Sequence, residues 1–108
     1  QQQEAHMRKH YRFIHDAGHG WLEVHRDDLA ELGLSENDLS EFSYKNGGFF
    51  YLEEDCDAGL FIGYHDSIMG FSPKCSEHDH GNWSRIRNFQ RCKPTTNIWP
   101  TISTGEWE

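Results

Sequence analysis

From His10 onward, apolar and polar positions alternate. Tyr11, Phe13 and His15 fall on one side of an extended chain, and Arg12 and Ile14 on the other. Asp16-Ala17-Gly18-His19-Gly20 interrupts the pattern with turn chemistry and two glycines available for positive φ. Trp21-Leu22-Glu23-Val24-His25 resumes it with strong β formers. Residues 10–25 are therefore predicted as a β-hairpin. A second hairpin is predicted further on. There Glu41-Phe42-Ser43-Tyr44 alternates, Lys45-Asn46-Gly47-Gly48 carries an Asn-Gly turn, and Phe49-Phe50-Tyr51-Leu52 returns.

Helical periods lie between and after these segments. Asp27 or Asp28 can cap a short helix with Leu29 and Leu32 on its inner side and Gly33 as its stop. Ser35-Glu36-Asn37-Asp38 has the spacing of a further capped turn. Over residues 55–69, Ala58, Phe61, Ile62, His65, Ile68 and Met69 recur near helical spacing, with Asp55 or Asp57 at the start and Gly70 at the end. Extended segments are predicted over residues 71–80 and over Arg85-Ile86-Arg87-Asn88-Phe89. The order ββαββαβ implies an α+β fold. Its core would be a small antiparallel sheet of two hairpins, with one main and one short helix on one face. Residues 1–6 read as an added leader, with Met7 as the native start. Residues 7–92 read as one domain. Residues 93–108, with two prolines and two of the four tryptophans, read as an extended tail.

Composition adds a direction. The 108 residues suffice for one domain, and aromatics, 14% of the chain, supply most of its bulky core material. The net charge is −8 and is unevenly spread. Residues 27–57 hold ten acids against one lysine, a net of −9. Such a field repels nucleic-acid phosphate and favours a basic partner, including the grooves by which other proteins hold nucleic acid. No apolar run approaches the ~18 residues of a membrane span, and the N-terminus has no signal-like apolar region. Three cysteines, Cys56, Cys75 and Cys92, without such a signal imply reduced thiols and a cytoplasmic setting.

Four groups of residues bear on chemistry. His15, Asp16 and His19 around a glycine-rich turn have the makings of an acid–base pair or of metal ligands; the plainer reading is a hairpin rim. Glu53, Glu54, Asp55 and Asp57 crowd a strand-to-helix junction. They lack calcium-loop spacing and read either as helix-start acids or as a patch for a basic partner. Cys75, His78, His80 and Cys92 are proper zinc ligands by type, although their spacing matches no familiar zinc module. Arg85, Arg87, Arg91 and Lys93 form a late basic cluster suited to pairing with the acidic half. Trp99 and Trp107 offer apolar anchors for a partner. No nucleophile elbow, phosphate loop, dinucleotide fingerprint or Cys/His nucleophile signature is present, so the expectation is a non-enzymatic protein.

His15-Asp16-Ala17-Gly18-His19-Gly20-Trp21-Leu22-Glu23-Val24 and Tyr51-Leu52-Glu53-Glu54-Asp55-Cys56-Asp57-Ala58 resemble a family of small uncharacterised proteins encoded by bacteriophages and other bacterial mobile elements. Ser43-Tyr44 and Ile86-Arg87-Asn88-Phe89 extend the resemblance over roughly residues 10–90. It implies a bacterial cytosol and brings forward a small acidic inhibitor of a host defence complex, of anti-CRISPR or anti-restriction type. The expected role is thus a non-catalytic module contacting a basic surface of a host or phage complex. Its contacts would be Glu53, Glu54, Asp55, Asp57, Trp99 and Trp107, with no direct nucleic-acid or membrane contact and no cofactor. The alternatives are a structural or hydrolytic zinc domain on Cys75, His78, His80 and Cys92, and an oligomeric phage accessory protein.

Overall fold

A computed structural model describes residues 10–93. The first alternating segments form β1, His10–His15, and β2, Gly20–His25, paired antiparallel with Phe13 opposite Leu22 and Ile14 opposite Trp21. α1, Arg26–Glu31, follows at once, then a 3-10 turn over Glu36–Asp38. β3, Tyr44–Asn46, and β4, Phe49–Glu53, make a second antiparallel pair around Gly47 and Gly48, both at positive φ. α2, Asp57–Met69, leads to β5, Lys74–Asp79, and a 3-10 turn over Arg85–Asn88 leads to β6, Gln90–Arg91.

The described residues form an α+β fold with two α-helices and one six-stranded sheet in the order β5-β1-β2-β4-β3-β6. It departs from a purely antiparallel pair of hairpins. β5 runs parallel to β1, with Tyr11 opposite Cys75 and Ile14 opposite His78, so the sheet is mixed. The cause is α2. A helix that carries the chain back along the sheet returns the next strand in the direction of the last one, and β4 already runs parallel to β1. Residues 85–89 are not a strand either. The Ser84 Oγ accepts the Ile86 N–H at 3.1 Å and starts a 3-10 turn, leaving only Gln90–Arg91 to pair with β3. The expected strand at Glu41–Tyr44 shrinks to its last residue, because Phe42 N–H bonds the Ser40 hydroxyl at 3.1 Å and bends the chain there.

The helix starts also differ from expectation. His25, not Asp27 or Asp28, caps α1. Its Nδ1 accepts the Asp27 N–H at 3.1 Å, and the Asp28 carboxylate accepts the His25 N–H at 2.8 Å. Cys56 occupies the cap of α2 without a side-chain bond to the helix backbone. Asp57 turns inward instead, accepting from Ser40 N–H and Oγ–H at 2.8 Å each and from the Ser43 hydroxyl.

Sheet parity sorts the core into two layers. On the helical face Tyr11, Leu22, Val24, Phe50 and Leu52 pack with Leu29, Leu32, Leu34 and Leu39 and with Ala58 and Phe61 of α2. Ala58, Phe61 and His65 follow helical spacing inward, while Ile62 and Ile68, predicted on the same stripe, fall outside it and stay exposed. On the opposite face Ile14, Trp21, Tyr44 and Tyr51 are covered by Ile86, with Phe49 and Phe89 alongside. Among the described residues no helix is long and apolar enough to cross a membrane.

Candidate binding cleft

The opposite face carries a row of polar side chains. Strand register aligns Ser76, Arg12, Glu23, Tyr51, Tyr44 and Arg91 across all six strands. Arg12 donates to Glu23 through Nε at 2.9 Å and Nη2 at 3.0 Å, and the Tyr51 hydroxyl donates to the same carboxylate at 3.0 Å. Burial, reinforced by the Glu23 charge, pushes the Tyr51 hydroxyl up to about 12, so it remains a donor. At the end of the row the Arg91 guanidinium lies 4.9 Å from the Tyr44 ring centroid.

Asp16 fastens the chain across this face. Its buried carboxylate accepts the Gly18 and His19 N–H groups at 3.0 Å each and the Ser84 N–H at 2.8 Å. It also takes a two-point bond from Arg87, 2.6 Å from Nε and 2.8 Å from Nη2. The Arg87 guanidinium, aided by the three backbone donors, holds the Asp16 carboxyl far below the usual carboxylate range. The neighbouring glycines serve space rather than positive φ, correcting the expectation from the turn chemistry. A Cβ on Gly18 would sit 3.0 Å from Arg87 Nη2, and one on Gly20 would collide with the Phe13 ring. The arginine is sandwiched as well, 4.7 Å from the Trp83 ring and 5.5 Å from the Trp21 ring.

Beside this lock opens a cleft of about 480 Å³. It is lined by the buried rings of Trp21 and Tyr44, the exposed ring of Phe42, the arginines Arg87 and Arg91, and by His19, Glu53, Asp55 and Cys56. Glu53 is 9% exposed. Its Oε1 accepts the Asp55 N–H at 2.9 Å, and its Oε2 lies 3.7 Å from the His19 Nδ1. Burial raises the Glu53 carboxyl above its ordinary range, against the pull of the Asp55 N–H. Ser40 draws the Cys56 thiol down, but burial and the Asp57 and Glu53 charges outweigh it, and the thiol sits above its ordinary range. A larger groove of about 690 Å³ separates α1 from the β3–β4 tip, but its Lys45 is already paired with Glu36. The smaller cleft is where aromatic and titratable groups converge.

The residues singled out from sequence separate here. Glu54 and Asp55 are exposed, whereas Glu53 and Asp57 are buried, and Asp57 is held by Ser40 and Ser43 away from any partner. Trp99 and Trp107 lie outside the described residues. Asp16 is committed to Arg87, and His15 lies 3.7 Å from Glu77, so the first turn does not assemble an acid–base pair. Cys75 and His78 lie three residues apart on β5 and therefore on opposite faces. His80 bonds Ser84 at 2.8 Å, and Cys92 follows β6 at the other end of the sheet. These four do not come together, and no group of three or more His, Cys, Asp or Glu placed to hold a metal occurs among the described residues.

Trp21, Phe42, Tyr44 and His19 were not foreseen as one site. The signal for it was parity: Trp21, Tyr44 and Glu53 share a face once β2, β3 and β4 are in register. Comparison of the chain with protein-family models, with curated proteins and with solved structures finds no match.

Proposed function

We propose that the protein is a non-catalytic protein-binding module that offers acidic side chains to a basic surface of a partner. One observation carries this reading: the uneven pairing of charge around the cleft. Arg87 is spent on Asp16, and Arg91 on the Glu41 carbonyl at 2.8 Å and on the Tyr44 ring. The exposed carboxylates of Glu54 and Asp55 have no ion-pair partner among the described residues. Around them the segment 27–57 nets −9, from ten acids and one lysine, a field that speeds encounter with a basic partner and turns away nucleic-acid phosphate. The Cys56 thiol, held above its ordinary range, and the Asp16 carboxylate, locked to Arg87, are each poorly placed to act as nucleophile or base, which favours binding over catalysis at these two groups. Basic grooves of bacterial defence complexes, which hold nucleic acid in the cytosol, are partners of this chemistry.

The test is affinity capture from bacterial lysate, comparing the wild type with the Glu54→Lys, Asp55→Lys double variant at low and high salt. The expected outcome is a discrete partner held at low salt and released at high salt, with capture by the variant reduced by about tenfold or more. Equal capture by the variant would reduce the acidic segment to a solubility device and overturn the reading.

A further inference from the structure

The cleft itself has a more specific charge balance than the surface around it. Its two guanidinium groups are engaged inside the protein, Arg87 by both oxygens of Asp16 and Arg91 by the Glu41 carbonyl and the Tyr44 ring. Its two carboxylates are engaged less fully, Glu53 through Oε1, which accepts the Asp55 N–H at 2.9 Å. Among the described residues Glu53 Oε2 makes no hydrogen bond, with His19 Nδ1 as its ion-pair neighbour at 3.7 Å, and the Asp55 side chain makes no bond. The remaining walls are aromatic: Trp21, Tyr44 and the half-exposed Phe42. An aromatic-walled pocket into which a carboxylate presents one oxygen without a hydrogen bond suits a long side chain with an apolar stem and a cationic head. The space, about 480 Å³, is ample for one such side chain.

We infer that this cleft receives a lysine or arginine side chain of the partner, with Glu53 Oε2 accepting from its cationic head, Asp55 flanking it, and Phe42 covering its stem. The inference rests on the protein-binding reading above and names the anchor that reading lacks. Burial of the Glu53 carboxyl fits this role, because an incoming cation would favour its charged form and draw it back down. The same exchange would stabilise the bound state.

The experiment titrates the full chain with Nα-acetyl-arginine amide and Nα-acetyl-lysine amide, following the Trp21 indole and His19 resonances by NMR. The citrulline analogue, which keeps the arginine shape without its charge, and Nα-acetyl-glutamate amide serve as comparisons. At least one cationic probe is expected to give saturable shifts, and neither comparison compound is. Glu53→Gln should weaken that binding by about tenfold or more, while Asp66→Asn, at an exposed position of α2 away from the cleft, leaves it unchanged. Gln at 53 keeps an oxygen for the Asp55 N–H and is neutral, so the fold should persist. Phe42→Ala, at an exposed ring, gives a second variant expected to weaken binding. Equal shifts with citrulline, shifts with the glutamate probe alone, or no saturable shift overturn the inference. Failure here with salt-sensitive lysate capture intact removes the anchor and leaves the acidic-surface reading. Probe binding without charge-dependent capture removes the latter.

Discussion

The two faces of the sheet are held by different physics. Under the helices the contacts are aliphatic and aromatic, supplied by Leu22, Val24, Leu29, Leu39, Leu52 and Phe61, each 1% exposed or less. Across the other face a smaller layer around Ile14, Trp21, Tyr51 and Ile86 is joined by charge-assisted bonds, Arg12 to Glu23 and Arg87 to Asp16, the latter linking residues 71 positions apart. Apolar burial is non-directional and holds the body together. Directed ionic bonds fix where a chain segment lies, and here they set the cleft beside Trp21 and Arg87. The module is thus built on one side and aimed on the other.

The largest effect expected from breaking this division is on the helical side. Phe61, fully buried and edge-on to Tyr11 at 5.5 Å between centroids, should cost about 3–5 kcal/mol on truncation to alanine. Urea unfolding measures it, and the loss should be a shift of one cooperative transition. A loss under about 1 kcal/mol would mean that the helical face is not the main source of stability.

Asp16→Asn comes next. Removing the charge from the buried Asp16 leaves the partly buried Arg87 beside Trp21 without its carboxylate, at a cost of about 3 kcal/mol. The effect depends on pH in a defined direction. Because the folded-state Asp16 pKa is depressed, its contribution is complete above the unfolded value of about 4 and fades as pH falls below it. The stability gap between wild type and variant should therefore narrow in acid. A gap that is constant down to about pH 2 would show that the charge is not what holds the segment after Ser84.

This contrast also explains what was legible in the sequence. Period-two alternation placed Tyr11 and Phe13 opposite Arg12 and Ile14, and helical spacing found α2 through Ala58, Phe61 and His65. Both signals are local, because a strand or helix face is set by neighbours a few residues away. The parallel return of β5 was implied by strand, helix, strand, yet alternation alone carries no direction. The turn at Arg85–Asn88 was hidden because it depends on Asp16 capturing Ser84 N–H from 68 residues upstream. The cleft was hidden for the same reason. Glu53 and Asp55 stood out as acids, but which carboxylates remain free depends on where Arg87 and Arg91 are spent.

The smallest effect expected belongs to the polar row. Tyr51→Phe removes one bond to the Glu23 carboxylate and keeps the ring that packs 5.2 Å from Phe89. Arg12 still donates to both Glu23 oxygens, so no buried charge is left unpaired, and the loss should be about 1–2 kcal/mol. Tyr51 does not line the cleft, so cationic probe affinity should stay unchanged. A double-mutant cycle with Arg12→Met tests whether the three groups act as a unit, since a coupling above about 0.5 kcal/mol would mark a shared network. Should Tyr51→Phe cost as much as Asp16→Asn, the row rather than the Asp16–Arg87 bond would be what sets the geometry of this face. The cleft would then depend on Tyr44 being held by its neighbour across the strands, and not on the lock beside it.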